Sequence, residues 1–264
     1  MKIADCHMHS FFSSDSEAPT EEMVKRAVEL GLPAICLTDH YDMDYSTGEF
    51  QLDTPAYAAK IRELQEKYRD RIDIRFGVEL GLQLHLKERM EEYVNAWPFD
   101  YVIGSMHVID GKDPYYEDAF PDWTAEDRAY FRATAENIRS FHNFQTLGHL
   151  DYVVRYCREK GKDYSYRAFA DEIDTILKEL IQYDIALEIN TGGYKAGLGV
   201  PNPTPDVIRR YRELGGEKIT FGADAHKPEH IAFHFADAAA IAQEAGFRYY
   251  VRFKEKKPEY LPIQ

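Results

Sequence analysis

Short runs rich in isoleucine, valine, phenylalanine and leucine recur along the whole chain, over residues 2–9, 34–40, 73–80, 100–107, 144–151, 185–190 and 218–226. Apolar runs of this length between turn-forming residues read as strands. The intervals between them are longer and carry apolar residues at helical spacing. The clearest helix spans 20–30, where Pro19 and Thr20 open it, Met23, Ala27, Val28 and Leu30 share one side, and Gly31 stops it. Further helices are predicted over 55–68, 84–96, 124–142, 164–183, 205–214 and 228–245. This alternation implies crossover connections and a parallel sheet. Seven strand-then-helix units predict an α/β fold, a distorted TIM-like (β/α)7 barrel forming one domain over 1–264; a closed eight-unit barrel is the alternative, with 248–253 as a weak late strand. The loop-like stretches 41–53 and 110–123 each follow a strand. In a barrel both lie over the C-terminal face, where such folds place their sites.

Charge narrows the partners. The 264 residues include 46 acidic and 32 basic side chains, a net charge of −14, which argues against nucleic acid, since affinity there comes largely from Lys and Arg neutralising phosphates. No stretch reaches the roughly 18 uncharged apolar residues of a membrane helix, and Asp5 interrupts the place of a signal peptide's apolar core, so a cytoplasmic protein without a membrane partner is expected. Cys6, Cys36 and Cys157 are odd in number and far apart. They read as small buried hydrophobes in a reducing compartment.

Almost every predicted strand ends in metal-binding side chains: Asp5, His7 and His9; Asp39 and His40; Glu79; His107; His149 and Asp151; Glu188 and Asn190; Asp224 and His226. Parallel barrel strands all end on one face, so residues more than 200 positions apart converge there. His7 and His9 are two apart on a strand and point to one side, a spacing that can grip one ion. Six of the ten histidines fall at strand ends, whereas His85, His142, His230 and His234 do not; His230 and His234 read as a solvated helix face. A nitrogen and carboxylate set without thiolate suits zinc, manganese or iron. The ligands exceed what one tetrahedral ion takes, which implies two or three divalent metals. Such clusters lower the pKa of a bound water to near ~7 and clamp the oxygens of a phosphoryl transfer.

At this point the chain resembles the PHP (polymerase and histidinol phosphatase) superfamily, and within it the stand-alone histidinol-phosphatase branch. The resemblance runs over essentially the whole length and rests on Asp5-Cys6-His7-Met8-His9-Ser10 with Asp15, Thr38-Asp39-His40, Gly77-Val78-Glu79, Gly104-Ser105-Met106-His107, Gly148-His149-Leu150-Asp151 and Gly222-Ala223-Asp224-Ala225-His226. It implies a trinuclear site: His7, His9, Glu79 and Asp224 for one metal, Glu79, His107 and His149 for a second, Asp15, His40 and His226 for a third. Many members have a histidine where Asp15 stands, and the acid is similar to the histidinol-phosphatase pattern. The resemblance also implies basic phosphate-binding residues near Arg155 and Lys195, which follow the fifth and sixth strands.

The implied reaction is hydrolysis of L-histidinol phosphate by a metal-activated hydroxide, with Asp224 and His226 in the catalytic site. A metal or Asp39, which lies outside the ligand set, is expected to assist the leaving alkoxide. Asp42, Glu117 and Asp118 on the two loops are candidates for the substrate's amine and imidazole. Three rivals are a PHP phosphatase acting on phosphotyrosine proteins or nucleotide or sugar phosphates, an amidohydrolase, and a non-enzymatic metal-binding barrel. The amidohydrolase reading is disfavoured because strand four ends in Ser105-Met106-His107 rather than in a lysine or acid.

Overall fold

The computed structural model describes residues 3–116, 123–156 and 164–263. Its core is a curled parallel sheet in the order β1 (Ala34–Leu37), β3 (Asp73–Gly81), β4 (Tyr101–Ser105), β5 (Thr146–Leu147), β6 (Ala186–Asn190) and β7 (Ile219–Gly222), with the short β2 (His40–Tyr41) prolonging β1 alongside β3. Burial is continuous along β1, β4, β6 and β7, as expected of strands covered on both faces.

The run 2–9 was expected as a regular strand. Its described residues 3–9 instead make single bridges, Asp5 to Ile35 and Met8 to Ala225. The segment nevertheless joins the two sheet edges: the Cys36 and Thr38 amides donate to the Asp5 and Met8 carbonyls, and the Cys6 and His9 amides donate to those of Phe221 and Ala225, all at 2.9 Å. Seven strand positions thus close into the distorted barrel that the alternation predicts.

Helices pack outside. α1 (Thr20–Glu29) buries Met23, Val24 and Ala27 and carries Glu21 and Glu22 in its first turn, where the helix dipole favours them. α2 (Thr54–Tyr68) starts at Asp53, whose side chain accepts the Ala56 amide at 3.1 Å, with Pro55 in the first turn. α3 (Lys87–Ala96), α4 (Trp123–Ser140), α5 (Ala170–Gln182) and, after the single turn α6 (Gly192–Lys195), α7 (Pro205–Glu213) follow, α3 and α5 each preceded by a 3-10 turn.

Two elements depart from it. The helix expected over 228–245 is a 3-10 turn, Pro228–His230, followed by α8 (Phe235–Glu244). Ala232 and His234 between them take positive φ, which no α-helix accommodates, so His230 and His234 do not share a helix face. The weak strand near 248–253 is β8 (Tyr249–Lys254), and it pairs antiparallel with β9 (Lys257–Pro262), which was not anticipated. This hairpin lies against the strand starts: the Tyr250 hydroxyl accepts the Ala4 amide, the Lys256 amide donates to Asp100, and Phe253 stacks on Tyr101. It therefore plugs the barrel end opposite the strand C-termini. Cys6 and Cys36 are buried free thiols, and Cys157 lies outside the described residues. Among the described residues no helix is long and apolar enough to cross a membrane.

Candidate metal centre

The strand C-termini do converge. The His7 and His9 Nε2 atoms face each other at 3.1 Å, and Glu79 lies between the imidazoles, its Oε2 3.1 Å from His7 Nε2, 3.1 Å from His40 Nδ1 and 3.4 Å from His9 Nε2. Glu79 Oε1 takes the Ser105 hydroxyl at 2.6 Å and lies 2.9 Å from His149 Nε2 and 3.3 Å from His107 Nε2. Asp224 Oδ1 is 3.4 Å from His9 Nε2 and 3.8 Å from His7 Nε2. Asp15 reaches His226 Nε2 at 3.0 Å and His40 Nε2 at 3.6 Å from the rim. Every histidine expected at a strand end is in this cluster.

Four groups have ligand atoms close enough to hold an ion: His7, His9 and Asp224; His7, Glu79 and His149; His9, His40 and His226; His40, Asp42 and His107. The groups are drawn differently from the sets carried over from the resemblance in three respects: His149 falls with His7 and Glu79, His107 with His40 and Asp42, and His9 rather than Asp15 with His40 and His226. Asp42 was missed as a ligand candidate, although it stands two residues after His40 and so shares its side of an extended chain.

The residues fit metal ions on several observations. Glu79 Oε2, His149 Nδ1, His40 Nδ1 and Asp42 Oδ2 are buried without a hydrogen-bond partner. That is costly unless something else satisfies them. Two nitrogens about 2.1 Å from one tetrahedral zinc stand about 3.3 Å apart, close to the His7–His9 separation. The outward ring nitrogens are also anchored: His7 Nδ1 on Glu188 Oε1 at 2.6 Å, His107 Nδ1 on Asp42 Oδ1 at 2.8 Å, His9 Nδ1 on the Ser13 hydroxyl at 3.2 Å. Partners of this kind fix ring orientation and tautomer in metal sites.

The electrostatics divide the imidazoles into two groups. Burial, with repulsion from His226 and His40, pushes the His9 pKa well below its ordinary value, and burial lowers that of His149. Both rings are thus held neutral, the form that ligates, whereas the facing carboxylates raise the pKa values of His7, His40 and His107, so these three take up protons unless a cation replaces them among the carboxylates. Burial alone raises the Glu79 and Asp224 carboxyls, but facing cationic groups outweigh it. His7, His40 and His107 hold Glu79, and His7 and Arg155 hold Asp224, well below the carboxylate range. An anionic centre ringed by imidazole nitrogen is a cation site.

The cavity above has a volume of about 110 Å³, and Arg155, Asp42, Asp113, Tyr45, Tyr152 and Tyr156 are among its lining residues. The Arg155 guanidinium is anchored on Asp224 Oδ2 at 2.9 Å. Lys195 differs from expectation: its ammonium donates to the Asp224 main-chain carbonyl, and it is not among the lining residues. Asp39 also differs. It is fully buried, accepting the Ser10 and Ser13 amides and both their hydroxyls, so it braces the 10–13 turn and does not face the cavity. Asp42 is engaged by His107 through Oδ1, and its unpartnered Oδ2 stands 3.6 Å from His40 Nδ1, turned to the imidazole cluster. Glu117 and Asp118 lie outside the described residues. Asp113, which sequence reading passed over, lines the cavity and accepts the Tyr45 hydroxyl at 2.5 Å.

Fold and site together define a barrel hydrolase-type scaffold whose strand ends gather several side-chain groups that could hold a metal ion. The chain belongs to the PHP domain family, which it matches over residues 5–192. It is 32% identical to the histidinol-phosphatase of Lactococcus lactis subsp. lactis, over 97% of this chain and 96% of the relative. It is also 32% identical to a probable histidinol-phosphatase of Thermotoga maritima, over 94% of each chain. Among solved structures it superposes with a TM-score of 0.90 and 31% identity, over 98% of this chain and 99% of the other, on the Lactococcus lactis histidinol phosphate phosphatase complexed with zinc, L-histidinol and phosphate. A histidinol phosphatase structure from Listeria monocytogenes, described as putative, shares the fold at 19% identity and a TM-score of 0.80, over 89% of this chain and 99% of the other.

Proposed function

We propose that the chain is a metal-dependent phosphomonoesterase that hydrolyses L-histidinol phosphate to L-histidinol and phosphate. The observation that carries this reading is the placement of an arginine, Arg155, in the cavity wall directly beside an imidazole and carboxylate cluster, in a chain similar over its length to a phosphatase solved with zinc, histidinol and phosphate.

In the reaction the P–O bond to the histidinol oxygen breaks, the oxygen of water takes its place, and a proton passes to the leaving alkoxide. Uncatalysed monoester hydrolysis is among the slowest reactions known, with accelerations reaching about 10²¹-fold. We assign two or three divalent ions to His7, His9, Asp15, His40, Glu79, His107, His149, Asp224 and His226, with Asp42 added beside His40 and His107. Bound there, divalent ions supply Lewis acidity at neutral pH. The protein's own groups do the rest: Glu188 and Asp42 keep the His7 and His107 rings aimed inward, and Arg155 offers its remaining N–H groups to phosphoryl oxygens. The Asp113 carboxylate suits an ammonium, and the Tyr152 and Tyr156 side chains, which line the cavity with ring centroids 5.1 Å apart, offer aromatic surface to an imidazole. We place the protein in the cytoplasm, in keeping with its buried free thiols, acting as one domain.

The test is phosphate release from L-histidinol phosphate beside a phosphotyrosine peptide, a nucleoside monophosphate and p-nitrophenyl phosphate, after loading with zinc, manganese or iron. A kcat/KM about a hundredfold higher for histidinol phosphate, about 2.7 kcal/mol of transition-state discrimination, supports the reading. Equal turnover of another ester moves the specificity elsewhere.

A further inference from the structure

We propose that Asn202, backed by Asp151, is a positioning residue for phosphate recognition: it holds the Arg155 guanidinium in one plane without adding a second counter-charge to that of Asp224. The proposal rests on the assignment of Arg155 to phosphate made above.

Three of the five N–H donors of a guanidinium are committed at Arg155. Nε donates to Asn202 Oδ1 at 2.8 Å, Nη2 to Asn190 Oδ1 at 2.9 Å, and Nη1 to Asp224 Oδ2 at 2.9 Å. Two donors remain for a ligand. The two amides cannot rotate away, because each donates its own NH2 to a buried carboxylate: Asn202 Nδ2 to Asp151 Oδ1 at 2.6 Å, and Asn190 Nδ2 to Glu188 Oε2 at 3.0 Å. Flipping either one sets NH2 against guanidinium and carbonyl against carboxylate. Their backbones are tied as well, Asn190 and Asn202 exchanging two N–H to carbonyl bonds at 2.8 Å. Asp151 is fixed in turn by the Thr204 amide at 3.2 Å. All three side chains are fully buried, so the arrangement is set by the fold rather than by solvent.

The choice of amides matters chemically. Asp224 already makes one charge-assisted pair with Arg155; a carboxylate at either amide position adds a second and draws further on the charge that a phosphate dianion needs. A neutral carbonyl oxygen orients the same N–H and leaves the charge. Gly192 completes the seat: a Cβ there meets Asn190 Oδ1 at 2.7 Å and Arg155 Nη2 at 2.8 Å, so only glycine lets the turn pass behind the guanidinium.

The test uses the metal-loaded full chain and reads the dissociation constant of inorganic phosphate by calorimetry, together with KM and kcat on the preferred ester. Asn202→Asp is expected to weaken phosphate binding and raise KM at least about tenfold, with metal content unchanged. In the Arg155→Ala background the same substitution is expected to add less than about twofold, since residues acting through one another are not additive. If Asn202→Asp does not fold against Asp151, Asn202→Ser and Gly192→Ala take its place, with an expected loss of about three- to tenfold that again vanishes without Arg155. Unchanged phosphate binding, or losses that add in the double variant, overturn the proposal. Loss of histidinol phosphate turnover with this phosphate coupling intact would overturn the substrate assignment instead.

Discussion

Glu188→Gln isolates the contribution of a residue that touches no ion site directly. Glu188 Oε1 lies 2.6 Å from His7 Nδ1, while Oε2 accepts the His149 amide at 2.8 Å and the Asn190 amide group at 3.0 Å. A carboxylate that accepts on both oxygens keeps the His7 proton on Nδ1 and leaves the Nε2 lone pair facing the cavity. Glutamine preserves the volume but has one acceptor oxygen. The two donors at the Oε2 side claim it, which turns the NH2 onto His7 Nδ1 and moves the ring proton to Nε2. That nitrogen stands 3.1 Å from both His9 Nε2 and Glu79 Oε2, where a proton blocks ligation. Loss of such a partner typically costs 10–100-fold in metal affinity or activity, or about 1.4–2.7 kcal/mol. Zinc titration in a competing chelator, followed by metal analysis and kcat/KM, reads the effect. Wild-type metal affinity and turnover within about twofold in Glu188→Gln would refute the tautomer argument.

Other outcomes follow from the same geometry. Asp39→Asn is expected to cost about 2–4 kcal/mol of stability, since four buried donors lose a charged acceptor, while kcat of the metal-loaded protein stays within about tenfold; a near-complete loss of kcat without a fall in Tm would restore Asp39 as the leaving-group donor. Asp127 on α4 is buried with Oδ1 unpartnered among the described residues, and burial, with Glu126 beside it, pushes its pKa up to about 7. A raised acid stabilises the fold only while protonated, so its contribution is full below about pH 4, falls as pH climbs, and is lost by about pH 7. Asp127→Asn is therefore expected to gain about 2 kcal/mol more over wild type at pH 8 than at pH 5, read by thermal melts at the two pH values; a gain independent of pH contradicts this. Phe253→Ala removes the ring stacked on Tyr101 and is expected to cost about 3–5 kcal/mol with metal content unchanged, which denaturant melts and metal analysis check together.

The strand ends were the readable part of this chain. Ile, Val and Leu runs terminated by His, Asp or Glu reported both the barrel and the converging ligands, because a parallel fold turns a local motif into a shared face. What escaped was set by partners distant in sequence. Asp39 has the same strand-end position as Glu79, and only the Ser10–Ser13 turn, folded over it, makes it a brace. Nothing near Lys195 in the sequence announced that its ammonium donates to the Asp224 main-chain carbonyl. The break at residues 231–234 has no glycine or proline to announce it, since Ala232 and His234 adopt positive φ under tertiary constraint. β9 reads Lys-Pro-Glu-Tyr-Leu-Pro, with little apolar pattern, because it covers β8 from an exposed edge. Asn202 carried no signal, because its partners Arg155 and Asp151 are distant in sequence.

The most direct measurement is the turnover of L-histidinol phosphate by protein stripped with chelator and then reloaded, for wild type and Asp224→Ala side by side. The account predicts phosphate release that disappears on stripping and returns with zinc, manganese or iron in the wild type, with Asp224→Ala binding less metal and turning over at least about a hundredfold more slowly. Metal-independent release, or Asp224→Ala with wild-type metal content and turnover, would contradict it.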